Sequence, residues 1–535
     1  MRAREAIRDP NVQIAAAVFV VCWTILAATA PGIPMVWDEG EYLVRARNVV
    51  EWFRVFPGAL SRDEIRTYWQ FIYYSEGHPA GFALPIALGQ WIFSGLPDPL
   101  VASRLGPITL FSVACAGVAV RLKLLYGAAA AITAPIALLT LPRMFSEAHF
   151  ATQDGQLTAW WLLLWVAQTS PAAGWRAAGR VGVVLGFTTA TKFTGWLAWL
   201  PVAVSHVLQT NSGAVRRLAI ILPVALLTFY IVNPPVWHEP LDGLREHFHR
   251  NLDRENTLNI ATQFLGGTYN VSNPLPWYNT LVWLAFAVPL PTLALGIVGL
   301  WQCLAKPSAL SVGLVLHWAT LMVVRALPGA PPHDGIRLFL PAFGFWCVFA
   351  GIGAQRMINF AAAVRPVPWR IALRVTLAGA LLANAVNLAR YYPQTLSHYS
   401  LFAGGLRGAA EKGMEPTYWW DALDDGVLGW LDEHTGPGEA IAFSTVYNLD
   451  HLHDRGKVRA RTVAAEEGKF KWYVLQNRPA MFTDIDRYLM RRQQPVYVKY
   501  TGRRRNGEIV PRDLAVPLIS VFSADQYQRA QRRTR

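Results

Sequence analysis

The sequence predicts an α-helical polytopic membrane protein that ends in a small soluble α/β domain. Three observations carry this. Of 535 residues, 53% are hydrophobic and only 16% charged, with 22 Trp, a composition outside the range of ordinary soluble domains. Apolar runs long enough to cross a bilayer recur from near the N-terminus to about residue 390. Beyond that point charge density more than doubles: residues 390–535 hold 22 Lys+Arg and 17 Asp+Glu, against 27 and 18 in the first 389.

The chain opens with the basic stretch MRAREAIRDP and an apolar run from about 12 to 30. Retained as an anchor or removed as a leader at AATAPG, this run starts the chain in the cytoplasm and brings residue 38 out on the far side. The next apolar piece, GFALPIALGQWIFSGL (81–96), is short and carries Pro85 and Gly89. It reads as a helix lying in the outer interface rather than as a span. Further spans then fall near 100–121, 127–142, 157–169, 178–191, 194–209, 217–233, 278–300, 309–327, 337–354 and 371–389, which makes about eleven. This parity puts RLK (121–123), WRAAGR (175–180), VRR (215–217), Lys306, Arg356, Arg365 and Arg370 on one side, as the positive-inside rule requires. Counting 81–96 as a span would reverse every later loop and break the rule. Residues 1–390 therefore form the transmembrane domain, with a first outer loop over 31–99 that carries juxtamembrane helices. Residues 391–535, with strand-like runs such as YVLQ and PVYVKY, form a soluble domain outside the cytoplasm.

Several function classes drop out. The net charge of +14 is explained by arginine in short cytoplasmic loops, so it does not indicate a nucleic-acid partner. Cys22, Cys115, Cys303 and Cys347 lie scattered in apolar segments without metal or redox spacing. No GxxxxGK[ST] stretch is present to cradle ATP. No internal repeat supports a transporter built on inverted halves.

On this topology the outer segments gather the polar residues. WDEGEY, straight after the first span, places Asp38, Glu39 and Glu41 within four positions. SEGHPAG adds Glu76 and His78; PRMFSEAHFATQDG adds Glu147, His149 and Asp154. Lys192 ends the fifth span in TATKFTGW, and PPHDGIR puts His333, Asp334 and Arg337 at the mouth of the tenth. Inner loops hold almost nothing but Arg and Lys. Each residue has a plainer reading as well. Asp154 suits a helix N-cap, Arg337 a snorkelling helix end and His78 a cap of the interfacial helix. Lys192 is harder to explain away, because a lysine in an apolar stretch needs a partner.

The chemistry this set offers is specific. A carboxylate at the membrane face can serve as general base towards a hydroxyl or amine. Lys192, Arg337 and His78 can hold a phosphate and stabilise it as it leaves. With no ATP site, the phosphate-activated donor is a lipid phosphate reached from the bilayer. No zinc spacing occurs; the set leaves room for a hard divalent cation, Mg²⁺ or Mn²⁺, bridging carboxylate and phosphate.

These stretches, taken in order over roughly residues 10–390, resemble the GT-C glycosyltransferases that use polyprenyl-phosphate sugars. The likeness is to the family 39-like group of protein O-mannosyltransferases and aminoarabinose lipid A transferases. WDEGEY is similar to the family's Asp-Glu motif, GHPAGF to its His/Lys-Pro-Pro segment and TQDGQL to its second-loop Asp. TTATKFTGW is similar to its Thr-Lys-Tyr/Gly segment, and GIRLFLPAF to its Arg-Tyr-Leu-Leu-Pro segment. The resemblance implies a GT-C fold and an inverting, single-displacement transfer of a hexose, mannose-like sugar or pentose. It implies Asp38 as base with Glu39 assisting, His78, Lys192 and Arg337 on the donor phosphate, and Asp154 orienting acceptor or cations. The acceptor would be a protein Ser/Thr, a glycolipid or a glycan. Ala80 replaces the family's second Pro and Phe193 its Tyr. The tail, including SHYSLFAGGLRGAAEKGMEPTYWWDAL (397–423), is similar to that of prokaryotic members, which implies a prokaryotic plasma membrane. Rival readings are a transporter or lipid flippase, with charges at mid-membrane, and a non-catalytic factor for envelope-polymer assembly.

Overall fold

The computed structural model describes all residues except 1–8, 71–76, 171–173, 211–212, 254–259, 365, 445–448, 503–508 and 535. Most of the basic opening stretch, Glu76 and Arg365 thus lie outside the described residues.

Every expected span is helical, but the spans differ in length. Among the described residues six helices are long and apolar enough to cross a membrane on their own: Pro10–Gly32, Pro99–Leu125, Ala214–Ile231, Ala309–Ala326, Arg337–Ala363 and Val367–Tyr391. A seventh arises if Ala128–Thr140 and Pro142–His149, bent by 76° at their junction, count as one broken span. The expected segment 278–300 is split into Asn279–Ala287 and Leu290–Ala305 around Pro289, where proline cannot continue a helix. Gln153–Thr169 and Trp175–Thr191 stop at 17 residues, and the expected 194–209 begins as a 3-10 turn before Trp199–Thr210. The short and broken helices include those whose ends carry Asp154 and Lys192.

Hydropathy does not separate inner from outer helices; packing does. Pro10–Gly32 has a mean hydropathy of 2.1 with 11% of its apolar window buried, whereas Arg337–Ala363, at 1.6, is 89% buried. The latter is the central post, packed by Ala128–Thr140, Gln153–Thr169, Leu290–Ala305 and Ala309–Ala326. The apolar piece at 81–96 forms a 3-10 turn, Ala80–Phe82, and a ten-residue helix, Ala83–Ile92, too short to span. It lies against Pro99–Leu125 backbone to backbone: a Cβ at Gly106 would sit 1.7 Å from the carbonyl oxygen of Pro85. That approach is open only to glycine.

The C-terminal part contains a five-stranded sheet of Ala440–Phe443 (β3), Arg461–Val463 (β4), Trp472–Gln476 (β5), Tyr497–Lys499 (β6) and Ile519–Ser523 (β7), in order β4-β3-β5-β7-β6. β3 runs parallel to β4 and β5, while β7 is antiparallel to β5 and β6. Two short strands, Thr262–Phe264 (β1) and Gly267–Tyr269 (β2), form a hairpin between helices Pro240–Leu252 and Asn279–Ala287. One apolar core runs without a break from Cys22 and Phe111 through Trp283, Tyr399 and Trp419 to Val474 and Val521. The sheet is thereby seated on the helical part.

Candidate active site

Four chain reversals converge on one place. Asp38 occupies the N-cap position of helix Glu39–Val55, yet its side chain makes no capping bond. Asp154 is the second residue of Gln153–Thr169, whose N-cap is Thr152. Asp154 is therefore not the cap that its position in the sequence suggests. Lys192 follows Trp175–Thr191 in an extended conformation, at the switch into a 3-10 turn. Arg337 opens the turn Arg337–Phe339 that leads into the central helix. Asp334 and Gly335 before it both have φ near +60°, a left-handed pair that an Asp tolerates better than a bulkier residue does.

Arg337 is the hub. Its Nη2 donates to Asp38 Oδ2 at 2.5 Å, its Nε to Asp154 Oδ2 at 2.8 Å and its Nη1 to Asp334 Oδ2 at 2.7 Å. Lys192 Nζ donates to the other oxygen of Asp154. The indole of Trp419 lies against the guanidinium, with Arg337 Cζ 3.8 Å from the ring centroid, a cation–π contact. Trp419 itself has φ +64°, and its carbonyl accepts from Trp37 N–H at 3.2 Å. The carboxylates are not equally reachable: the Asp38 side chain is 23% exposed, against 2% for Asp154 and 6% for Asp334. Asp38 is thus the most exposed of the three carboxylates.

The local charges set their own balance. Burial would push the Asp334 carboxyl up, but Arg478, His333 and Arg337 outweigh it and hold it at about 2. Glu147, in Pro142–His149, is buried beside Asp154, Arg337, Lys192 and Asp334, and neither of its oxygens has a hydrogen-bond partner among the described residues.

Glu39 is not brought into this cluster. Its carboxylate faces the opposite way and is fully buried, accepting from Arg104 Nε at 2.8 Å and Nη2 at 2.6 Å. Val36 N–H and Ala151 N–H complete the set at 3.1 and 2.8 Å. It locks the start of helix Glu39–Val55 to helix Pro99–Leu125 and to the segment before Asp154. Glu41 stays near Arg45, 3.8 Å away. His78 is buried two residues before the turn Ala80–Phe82, which packs on the end of Trp175–Thr191 next to Lys192. His149 is taken up by Thr29, 2.8 Å away.

Asp334 belongs to the cluster although the sequence named it among the outer polar residues without giving it a role, and Arg478, Trp419 and Arg104 carried no signal there. Among the described residues no three His, Cys, Asp or Glu side chains gather to hold a metal ion. The carboxylates of Asp38, Asp154 and Asp334 pair with Arg337, Lys192 or Arg478, whereas that of Glu147 beside them does not.

No known protein-family profile matches the chain, and no curated protein does. Solved structures do. One is ArnT from Cupriavidus metallidurans bound to undecaprenyl phosphate, with a TM-score of 0.51 and 16% identity, over 96% of this chain and 98% of that one. The oligosaccharyltransferase AglB from Archaeoglobus fulgidus, in complex with an inhibitory peptide and a dolichol-phosphate, matches at a TM-score of 0.46 and 11% identity. That match covers 86% of this chain and 69% of AglB. The arabinofuranosyltransferase AftD from Mycobacteria matches at 0.41 and 12%, over 95% and 41%. The first of these carries the conclusion, for architecture alone: the chain is an integral membrane protein with the GT-C fold that its motifs imply.

Proposed function

We propose that the protein is an inverting membrane glycosyltransferase. It moves a sugar from a polyprenyl-phosphate carrier to an acceptor at the extracytoplasmic face. The observation that carries this reading is the triple pairing of Arg337 with Asp38, Asp154 and Asp334, with Lys192 on the same Asp154. A carboxylate base and two phosphate-capable cations share one site.

Asp38 takes the proton from the acceptor hydroxyl or amine. The freed lone pair attacks the anomeric carbon from the side opposite the phosphate. The carbon–oxygen bond to phosphate breaks with inversion, and the polyprenyl phosphate leaves against Arg337 and Lys192. His78, just before the turn Ala80–Phe82 that packs on the helix end preceding Lys192, completes the phosphate side. The proton on Asp38 passes to solvent through its exposed edge. Asp154 sets the distance between the two cations. Glu39 acts on Asp38 through the backbone, by fixing the turn in which both sit.

The sugar, a hexose, a mannose-like sugar or a pentose, and the acceptor, a protein Ser/Thr, a glycolipid or a glycan, are read out by one assay. Purified protein in nanodiscs is offered a panel of polyprenyl-phosphate sugars, and release of polyprenyl phosphate is followed. Consumption of one donor by wild type and not by Asp38→Asn supports the reading; no consumption of any donor, with every acceptor class present, overturns it. Cysteine labelling tests sidedness: positions 38 and 192 must be reached from the same face.

A further inference from the structure

The phosphate side of the site extends into the C-terminal domain. Arg478 follows β5, in the turn that leaves the sheet, and its side chain is buried. Its Nη2 donates to Asp334 Oδ1 at 3.1 Å, while Asp334 Oδ2 accepts from Arg337 at 2.7 Å. On its other side Arg478 Nε lies 3.4 Å from Glu415 Oε2. Glu415 in turn accepts from Thr262 Oγ1 and Gln263 N–H of β1, at 3.2 and 3.3 Å. A continuous chain of charges thus runs from the C-terminal domain, through Asp334, to the residue that pairs with Asp38.

We infer that Arg478 is a positioning residue of the C-terminal domain, bracing Asp334 so that Arg337 is held in place yet remains available to a lipid phosphate. This rests on the proposed donor reading. The physical reason lies in how Asp334 divides its two oxygens. With Arg478 on one of them, the carboxylate is fixed in orientation and part of its charge is neutralised. Arg337 is then tethered at a set angle under Trp419 without being saturated. Remove Arg478, and Asp334 is a buried carboxylate with Arg337 as the one cation still hydrogen-bonded to it among the described residues. It draws Arg337 more tightly, and the guanidinium becomes a poorer phosphate ligand. A guanidinium suits the brace because its planar fork can face two carboxylates at once; a lysine ammonium cannot hold the same geometry.

The test uses full-length protein in nanodiscs and two probes, undecaprenyl phosphate and undecaprenol. Wild type is expected to prefer the phosphate. Arg478→Gln is expected to bind undecaprenyl phosphate about 10-fold more weakly and undecaprenol as wild type does. Arg478→Lys is expected to fall between. Arg455→Gln, which removes a different ion pair between the C-terminal domain and the helical part, with Asp98, is expected to leave both affinities unchanged. Phosphate affinity equal to wild type in folded Arg478→Gln overturns the proposal, as does parallel loss of both probes, the mark of a merely structural role. Should Arg478→Gln not fold, Arg478→Lys decides, and wild-type phosphate affinity there overturns it. A wild type that does not distinguish phosphate from alcohol removes the donor reading itself, and the brace with it; a wild type that does, beside an unaltered variant, removes the brace alone.

Discussion

Asp38 and Arg337, 299 positions apart in the chain, are held oxygen to nitrogen at 2.5 Å. The pairing places the expected base and the expected phosphate ligand in direct contact. A carboxylate bound to a guanidinium is a poor proton acceptor, because ionisation is what the guanidinium favours. On the proposed mechanism, a donor phosphate that takes up Arg337 frees Asp38 to act as base. Arg337→Lys keeps the charge but cannot hold three carboxylates with one planar fork. Transfer is expected to fall by roughly 100-fold or more, measured as kcat/KM for the donor. Activity within a factor of two of wild type would remove Arg337 from the phosphate side.

Asp38 and Glu39 are neighbours with opposite environments, and two substitutions separate them. Asp38→Asn removes a partly exposed base and is expected to lower kcat by about 10²–10⁴-fold with little change in thermal unfolding. Glu39→Gln leaves Arg104 as an uncompensated charge in a fully buried site and is expected to cost about 3–5 kcal/mol of stability. Thermal unfolding in detergent, run beside the transfer assay, checks both. If Asp38→Asn unfolds early, or Glu39→Gln is as stable as wild type, the division of roles is wrong.

Lys192 and Arg337 meet on the two oxygens of Asp154. Lys192→Ala is expected to reduce donor turnover by about 10²-fold, through the lost phosphate contact. Because Asp154 serves both cations, the loss in Lys192→Ala combined with Asp154→Asn should be smaller than the two single losses multiplied. Strict multiplicativity would mean that the two residues act separately.

The sequence carried the fold class and much of the site because both are written in local patterns. Apolar runs, the charge step near residue 390 and the order of WDEGEY, TQDG, TTATK and GIRLF are visible in the one-dimensional chain. Asp38, Asp154, Lys192 and Arg337 do meet in one cluster. What stayed hidden depends on long-range pairing. Glu39 next to Asp38 looks like a second catalytic carboxylate until Arg104 is seen to occupy both of its oxygens. Arg478 is one basic residue among 22 in residues 390–535, and only the packing of the sheet on the helices singles it out. Helix length was hidden for a similar reason: helices buried among neighbours need not reach the length that a lone helix requires in lipid.

Asp421, in the segment that also presents Trp419, offers a test of the C-terminal domain that does not involve the transfer reaction. Burial pushes its carboxyl up to about 7, with the Thr417 hydroxyl and the Arg143 charge pulling the other way. An unfolded Asp titrates near 4. A raised acid stabilises the fold in its protonated form. That contribution is fully present below about pH 4 and is lost as pH rises through about 7. At pH 8 the native state then carries a buried carboxylate at a cost of roughly 4 kcal/mol. Asparagine cannot ionise and keeps an oxygen for Thr417. Asp421→Asn is therefore expected to raise the thermal unfolding temperature by several degrees at pH 8, with the gain shrinking steadily as pH falls towards 5. A gain that does not change with pH would show that Asp421 stays uncharged, or is ionised and paired, throughout.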